Sequence, residues 1–154
     1  MNTNVMFSSA TPEWETPQDL FDRLNDKYNF DLDPASTDEN AKCKTHYTLR
    51  DDGLKKSWFG HTVFCNPPYG REISKRVKKG YLEAQNPGTT VVMLLPARTD
   101  TKWFHDYCKK GSIEFIRGRL KFGGSKNSAP FPSMIVVFGS NWKNGGDLIG
   151  RSKG

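Results

Sequence analysis

Hydrophobic residues recur along the chain first with the period of a helix and then with the period of a strand. Thr16 and Pro17 suit the start of a helix, with Thr16 as its cap. The apolar residues that follow at helical spacing are Leu20, Phe21, Leu24 and Tyr28. The run 28–33 then alternates apolar and polar residues, which predicts a strand that ends at Pro34.

The rest of the chain repeats this change of period. Apolar runs at 61–66, 89–95, 113–116 and 134–138 predict four more strands. The first of two intervening helices turns inward Ile73, Val77, Tyr81 and Ala84. The second, which Asp100 caps and Gly111 ends, turns inward Trp103, Phe104, Tyr107 and Cys108. Because strands and helices alternate, we expect an α/β sandwich with a mostly parallel central sheet flanked by helices.

Length and composition limit the class of protein. A chain of 154 residues fits one domain, which we place at residues 13–140. The polar segments 1–12 and 141–154 are predicted to be flexible. No apolar run approaches the roughly 20 residues of a membrane span, and the first residues lack the pattern of a signal peptide. We therefore expect a cytoplasmic protein without a membrane partner.

The three cysteines are too few for a disulfide framework and fit a reducing compartment. Two pairs, Cys43 with His46 and His105 with Cys108, have the spacing of zinc ligands. The two pairs lie in different sequence contexts, and Cys108 falls on the apolar face of a predicted helix. We therefore expect no metal.

The tetrapeptide Asn66-Pro67-Pro68-Tyr69 directly follows a predicted strand, where ligands of open α/β sheets gather. The two prolines stiffen the loop and remove its backbone donors. The side-chain oxygen of Asn66 and the carbonyl of Pro67 can therefore each accept a hydrogen bond from one planar amino group. Tyr69 offers a flat face on which a ring can stack. Such a loop can free the lone pair of an exocyclic amine without a strong base.

This tetrapeptide resembles motif IV of S-adenosylmethionine-dependent amino-methyltransferases. The wider sequence is similar to the small bacteriophage DNA N-6-adenine methyltransferases, often called Dam-like, over about residues 13–138. The segments that carry the resemblance begin at Trp14, Leu32, Asp51, Asn66, Pro96, Gly118 and Ala129. It implies a Rossmann-like methyltransferase fold, S-adenosylmethionine as the cofactor and N6 of adenine in DNA as the target. It also implies a phage origin and hence a host bacterial cytoplasm.

The resemblance assigns roles to individual residues. Asn66, Pro67, Pro68 and Tyr69 are the catalytic set, and Tyr69 stacks on the target base. Residues implied at the cofactor are Trp14, Thr16, Asp33, Pro34, Ala35, Asp52 and Asn66. A flipped base has a second face to cover, and we expect Phe131, held between two prolines, to cover it. Phe122 is the alternative, although we expect it to pack inward.

Basic residues outnumber acidic ones by 23 to 17, which gives a net charge of +6 and favours an anionic partner. We expect the cations near the predicted catalytic loop and before the last strand to contact DNA phosphates. They are Arg71, Lys75, Arg76, Lys78, Lys79, Arg117, Arg119, Lys121 and Lys126. Without DNA, residues 71–79 simply form the solvated side of a helix.

Other functions share these features. Enzymes that methylate the amide of a protein glutamine, or N4 of cytosine in DNA, act on the same kind of planar amine. The segment after Asp33 also lacks the glycine-rich turn of many methyltransferases, so an inactive DNA-binding module on the same fold is a further alternative. At single positions, Asp33 can serve as a turn or cap acid, Asp52 as a solvated loop acid and Trp14 as a core aromatic.

Overall fold

A computed structural model describes residues 15–123 and 127–139 of the chain. Its strands are β1 (Thr62–Cys65), β2 (Thr90–Pro96), β3 (Ser112–Phe115) and β4 (Ser133–Phe138). Its α-helices are α1 (Gln18–Tyr28), α2 (Ile73–Glu83) and α3 (Lys102–Asp106), with 3₁₀ turns at Gly53–Lys55 and Cys108–Lys110. The predictions for Trp14, for Lys126 and for the terminal segments 1–12 and 141–154 lie outside the described residues. No helix in the described ranges is long and apolar enough to cross a membrane.

The four strands form one open sheet in the order β1-β2-β4-β3. Strand β1 pairs with β2 in parallel, whereas β4 is antiparallel to both of its neighbours. The mixed α/β class is confirmed, but the prediction of a mostly parallel sheet is wrong, since two of the three strand pairings are antiparallel. The reason is that the chain returns after β3 and inserts β4, reversed, between two strands that run in the same direction.

A short extended segment continues the parallel part of the sheet beyond β1. Leu32 forms a parallel bridge with Val63, and Asp33 forms one with His46. The predicted strand over 28–33 is therefore shortened to its last two residues. Helix α1 extends through Tyr28, and Asn29 ends it in the left-handed conformation at φ 58°, so the extended chain begins later than the alternation suggested.

Helices cover the two faces of the sheet, and the strands alternate between them. Val92 and Leu94 of β2 point to the face on which α1 packs, through Leu20, Phe21, Leu24 and Tyr28. Val91 and Met93 point to the opposite face, which is covered by Ile73 and Val77 of α2 and by Trp103 and Phe104 of α3. The inward positions predicted for α1 are confirmed, as are most of those predicted for the later helices; Tyr81 and Tyr107 are only partly buried.

Two predicted helix caps are wrong. Pro17 takes the cap position of α1, and the helix has no side-chain cap, because Thr16 is turned toward the sheet. Thr101, not Asp100, caps α3 by accepting a hydrogen bond at Oγ1 from the backbone N–H of Phe104. The first error arose because the sequence does not show that Thr16 accepts a hydrogen bond from Asn66, and the second because Asp100 and Thr101 are both good capping residues.

The pairing brings distant segments to one edge of the sheet. The carboxyl ends of Leu32–Asp33, β1 and β2 share this edge because these segments run in parallel. The register pairs Pro96 with Ser133 and Phe115 with Met134, so the end of β3 and the beginning of β4 lie there too. Glu15, just before α1, reaches the same edge through a bridge with Gly123.

Candidate active site

The loop after β1 carries Asn66 to this edge, where it meets the segment before α1. Asn66 Nδ2 donates a hydrogen bond of 3.0 Å to Thr16 Oγ1, across 50 residues of chain. Thr16 is 4% exposed, and Asn66 and Pro68 are partly buried. The bond fixes the plane of the Asn66 amide, so the orientation of its carbonyl oxygen is set by a buried neighbour. Two residues that the sequence placed at the same site are thus in direct contact.

Three aromatic rings meet beside this loop. The centroid of Tyr69 lies 5.4 Å from that of Phe131 and 6.5 Å from that of Phe122, in edge-to-face arrangements. Burial raises the pKa of the Tyr69 hydroxyl well above its usual range. Phe122 is 1% exposed, as expected for an inward residue, whereas Phe131 is partly exposed. Tyr69 and Phe131 touch each other, and with planes 71° apart they leave no slot for a base between them.

Asp33 lies at the end of the extended segment and is 4% exposed. Its Oδ1 accepts the backbone N–H of Ala35 at 3.3 Å, and its Oδ2 accepts that of Lys42 at 2.9 Å. Burial raises the pKa of Asp33, and these two hydrogen bonds oppose the shift. The interpretation of Asp33 as a turn acid therefore has structural support, and its carboxylate also lies at the sheet edge.

Lys42 is a residue of this region that sequence reasoning missed. Its Nζ donates to Gln18 Oε1 at 2.7 Å and lies 3.7 Å from Glu15 Oε2. The loop that Asp33 organises is thereby fastened to the start of α1, close to Thr16. No local pattern marks Lys42, because its partners lie more than twenty residues away in the sequence.

Asp52 begins the first 3₁₀ turn at φ 58°, and its Oδ1 accepts the backbone N–H of Leu54. The next residue, Gly53, packs so closely on Pro34 that a Cβ there would collide with the Pro34 carbonyl oxygen. The Asp52 turn therefore lies directly beside the Asp33–Ala35 segment. Asp52 accepts a local hydrogen bond and is partly exposed. Its position therefore agrees both with a role at the cofactor and with that of a solvated loop acid.

Helix α2 does not present all of its cations to solvent as predicted. Lys75 and Lys78 are exposed, as is Arg71 before the helix, but Arg76 is buried. Lys79 is largely buried: its Nζ donates to Glu83 Oε2 at 2.9 Å and lies 5.5 Å from the centroid of the Trp58 ring. The expectation of a solvated face is wrong for Arg76 and Lys79, because the helix packs against the segment around Trp58 as well as against the sheet.

The other predicted DNA-contacting cations follow β3 at the same edge of the sheet. Arg117, Arg119 and Lys121 are exposed, and Arg119 Nη1 donates to the carbonyl of Ala129 at 3.5 Å. Arg71 lies two residues after Tyr69 in the sequence, and Lys121 precedes Phe122, whose ring centroid lies 6.5 Å from that of Tyr69. Contact of these cations with DNA phosphates stays a prediction.

The cysteines and histidines weighed as zinc ligands do not come together. Within the described ranges, no group of three or more His, Cys, Asp or Glu side chains could hold a metal ion. His46 Nε2 instead contacts Asp38 Oδ1, and His105 Nε2 contacts the carbonyl of Thr99. Cys43, Cys65 and Cys108 are free thiols, and burial raises the pKa of each to about 12.

Comparison with known proteins gives a family match over almost the whole chain. The family model "DNA N-6-adenine-methyltransferase (Dam)" matches residues 4–150. A DNA N-6-adenine-methyltransferase of Escherichia phage T1 is 37% identical over 147 residues, covering 77% of this chain and 60% of the relative. One of Haemophilus phage HP1 (strain HP1c1) is 30% identical over 135 residues, covering 81% of this chain and 77% of the relative. The chain thus belongs to the DNA N-6-adenine-methyltransferase (Dam) family.

Proposed function

We propose that this chain methylates N6 of adenine in DNA, with S-adenosylmethionine as the methyl donor. The observation that carries the proposal is the Asn66 amide, held by Thr16 at the carboxyl edge of the sheet beside Tyr69. The family favours adenine over cytosine and over a protein glutamine as the target. We further propose that the sheet, with its parallel half extended by Leu32–Asp33, is Rossmann-like, since such folds bind ligands at this edge.

The residues at this edge suit the proposed cofactor. Ser36 Oγ is buried and has no hydrogen-bond partner among the described residues, so it offers a polar contact to a ligand. Asp33 is a buried acid near it, able to bind an ammonium group, and Thr16 adds a hydroxyl. When bound there, S-adenosylmethionine supplies an electrophilic methyl group on a sulfonium. We assign Thr16, Asp33, Pro34, Ala35 and Asp52 to its binding.

Asn66 and Pro67 act on the target amine in this proposal. The lone pair of adenine N6 is delocalised into the ring, which makes the nitrogen a weak nucleophile. Two acceptors that bind its two hydrogens draw the nitrogen toward a tetrahedral form and localise the lone pair. The stiff Pro67-Pro68 backbone keeps the two acceptors in place, so much of the rate enhancement comes from alignment.

The target base leaves the DNA stack before it reaches this loop, at a cost of a few kcal/mol. The contact between Tyr69 and Phe131 then has to open, because their rings now fill the space between them. Both rings are partly exposed, but Tyr69 follows two prolines and its hydroxyl is buried, whereas Phe131 lies between the exposed residues Pro130 and Pro132. We therefore expect Phe131 to be the ring that moves and then covers the second face of the base.

The activity is tested by incubating the protein with labelled S-adenosylmethionine and either DNA or a mixture of host proteins. We expect label in DNA, recovered as N6-methyladenine after digestion. Label in protein would support the glutamine alternative, and N4-methylcytosine would support the cytosine alternative. Binding of cofactor and DNA without any transfer would identify an inactive module.

The substitution Asn66→Ala should reduce turnover by 10²–10³-fold, about 2.7–4 kcal/mol, because its hydrogen bond serves the transition state. The affinity for S-adenosylhomocysteine, measured by calorimetry, should stay within several-fold. Asn86→Ala is the matched control, since Asn86 lies before β2 at the far edge of the sheet and should leave turnover unchanged. Near-normal turnover of Asn66→Ala would remove this residue from the mechanism.

The pair Asp33→Asn and Asp33→Ala separates cofactor binding from turn formation. The Asn variant keeps one of the two backbone hydrogen bonds but loses the charge, so we expect cofactor affinity to fall tenfold or more and the melting temperature to fall less than in the Ala variant. The Ala variant should lose both affinity and stability. Unchanged affinity in the Asn variant would leave Asp33 a turn residue only.

The pH dependence of the wild type adds a second measurement. Burial raises the pKa of Asp33 in the folded protein above its unfolded value, so folding takes up a proton between the two values. The destabilising effect of the buried charge is therefore present above the folded pKa and disappears on acidification. Cofactor affinity should fall as the pH decreases through that same pKa, and the fall should be absent in Asp33→Asn.

Phe131 and Phe122 should respond differently to truncation. Phe131→Ala should lower methylation at least tenfold with little change in cofactor affinity, because stacking on a base is worth roughly 1–3 kcal/mol. Phe131→Trp should retain most activity. Phe122→Ala should instead destabilise the fold by about 3–5 kcal/mol, since this side chain is fully buried. A folded, inactive Phe122→Ala together with an unfolded Phe131→Ala would reverse the two assignments.

DNA affinity should fall steeply with salt, with a log–log slope of about −0.9 per neutralised phosphate. Arg117→Ala and Lys121→Ala should each make the slope shallower by roughly that amount. Lys79→Met is the control, since Lys79 pairs with Glu83 and should not change the slope. A flat salt dependence of the wild type would contradict a DNA phosphate contact.

A further inference from the structure

Arg76 is a buried cation to which neither the fold nor the proposed mechanism gives a role. It is 7% exposed, whereas Lys75 and Lys78 on the same helix are exposed. Its Nε has no hydrogen-bond partner, and the guanidinium forms no ion pair with any carboxylate of residues 15–123 and 127–139. Burying a guanidinium without partners costs free energy, so a partner outside these residues would account for it.

The position of Arg76 follows from its neighbours on α2. Lys79 and Glu83 lie three and seven residues further on and so share its side of the helix. Both contact Trp58: Lys79 lies over its ring, and Glu83 Oε1 accepts its backbone N–H at 2.7 Å. Arg76 is one turn nearer the carboxyl edge, where its charge acts on the thiol of Cys65 at the end of β1.

The side of α2 that carries Arg76 is connected to the Asp52 turn through contacts of Trp58. Trp58 Nε1 donates to the carbonyl of Gly53 at 3.0 Å, and Gly53 packs on Pro34. The side of α2 that carries Arg76 therefore faces the segments that end in Pro34 and in Asp52, at the edge where the cofactor is proposed to bind.

In the proposed function, Asp33 binds the amino-acid end of the cofactor. Leu32 packs in the same core as α2, and Asp33, the next residue of an extended chain, points to the opposite face. There its loop is fastened to α1 through Lys42. If Asp33 and Thr16 bind the amino-acid end on the α1 side, the adenosine end lies on the α2 side, toward Arg76.

We propose that Arg76 binds the adenine ring of S-adenosylmethionine, an inference that rests on the proposed function. A guanidinium is planar, stacks on aromatic faces and carries N–H donors along its rim. Adenine offers both an aromatic face and ring nitrogens that accept hydrogen bonds. A bound adenine would supply the acceptor that Nε lacks, which no side chain of the described residues does.

The test is calorimetric binding of two ligands without DNA. S-adenosylhomocysteine carries both ends of the cofactor, whereas 5′-methylthioadenosine carries only the adenosine end. Arg76→Met should weaken the binding of both tenfold or more and by the same factor. Arg76→Lys keeps the charge without the planar group and should also weaken both. Arg23→Met, the same substitution at an exposed position of α1, should change neither.

The melting temperature without ligand separates this role from a structural one. An unpaired buried charge does not stabilise the fold, so Arg76→Met should melt at the same temperature as the wild type or higher. Loss of binding together with a lower melting temperature in both Arg76 variants would overturn the proposal.

The remaining outcomes are equally distinct. A wild type that binds neither ligand contradicts the proposed function itself. Equal binding by wild type and Arg76→Met overturns only the role of Arg76. A loss confined to S-adenosylhomocysteine, or a wild type that binds it but not 5′-methylthioadenosine, overturns the assignment to adenine. A loss of DNA affinity alone would identify a phosphate contact instead.

Discussion

Parallel pairing of Leu32–Asp33 with β1, and of β1 with β2, is the constraint on which the candidate site depends. It places three carboxyl ends at one edge of the sheet, so that an acid, an amide and an aromatic ring become neighbours. The Asn66–Thr16 hydrogen bond then joins this edge to the start of α1. Without that register, the Asn66 loop would be only a rigid turn, because its acceptors would face no binding partner.

Charge burial at this edge shows how stability and function compete. Asp33 has two backbone donors, yet burial still raises its pKa, and Arg76 lacks any ion-pair partner in the described part of the chain. Asp33 gains little for the fold by being charged, since desolvation outweighs its two hydrogen bonds, and no ion pair among the described residues compensates the buried charge of Arg76. A ligand with an ammonium group and an adenine ring would give Asp33 and Arg76 each a partner. Its binding would therefore offset the free-energy cost of burying these two charges.

Local patterns in the sequence predicted the elements that local forces determine. Burial of β2 and the inward face of α2 follow from apolar spacing, and Asn66–Tyr69 from the chemistry of its residues. The reversed insertion of β4 could not be predicted, because it depends on pairing between distant segments. The same holds for Lys42, which meets α1 across 24 residues, and for Lys79, whose helical position looked solvent-facing but which lies over the ring of Trp58.

In the proposed mechanism, the aromatic cluster offsets only part of the energetic cost of base entry. Opening the Tyr69–Phe131 pair gives up an edge-to-face contact worth about 0.5–1.5 kcal/mol. Stacking of a base on an aromatic ring returns roughly 1–3 kcal/mol, while extrusion from the duplex costs a few kcal/mol. The costs exceed this return, so in the proposed mechanism the hydrogen bonds that the amine donates to Asn66 and Pro67 decide whether a base stays. A base without a suitably placed amino group gains no such bonds, and selection of the target therefore begins before methyl transfer.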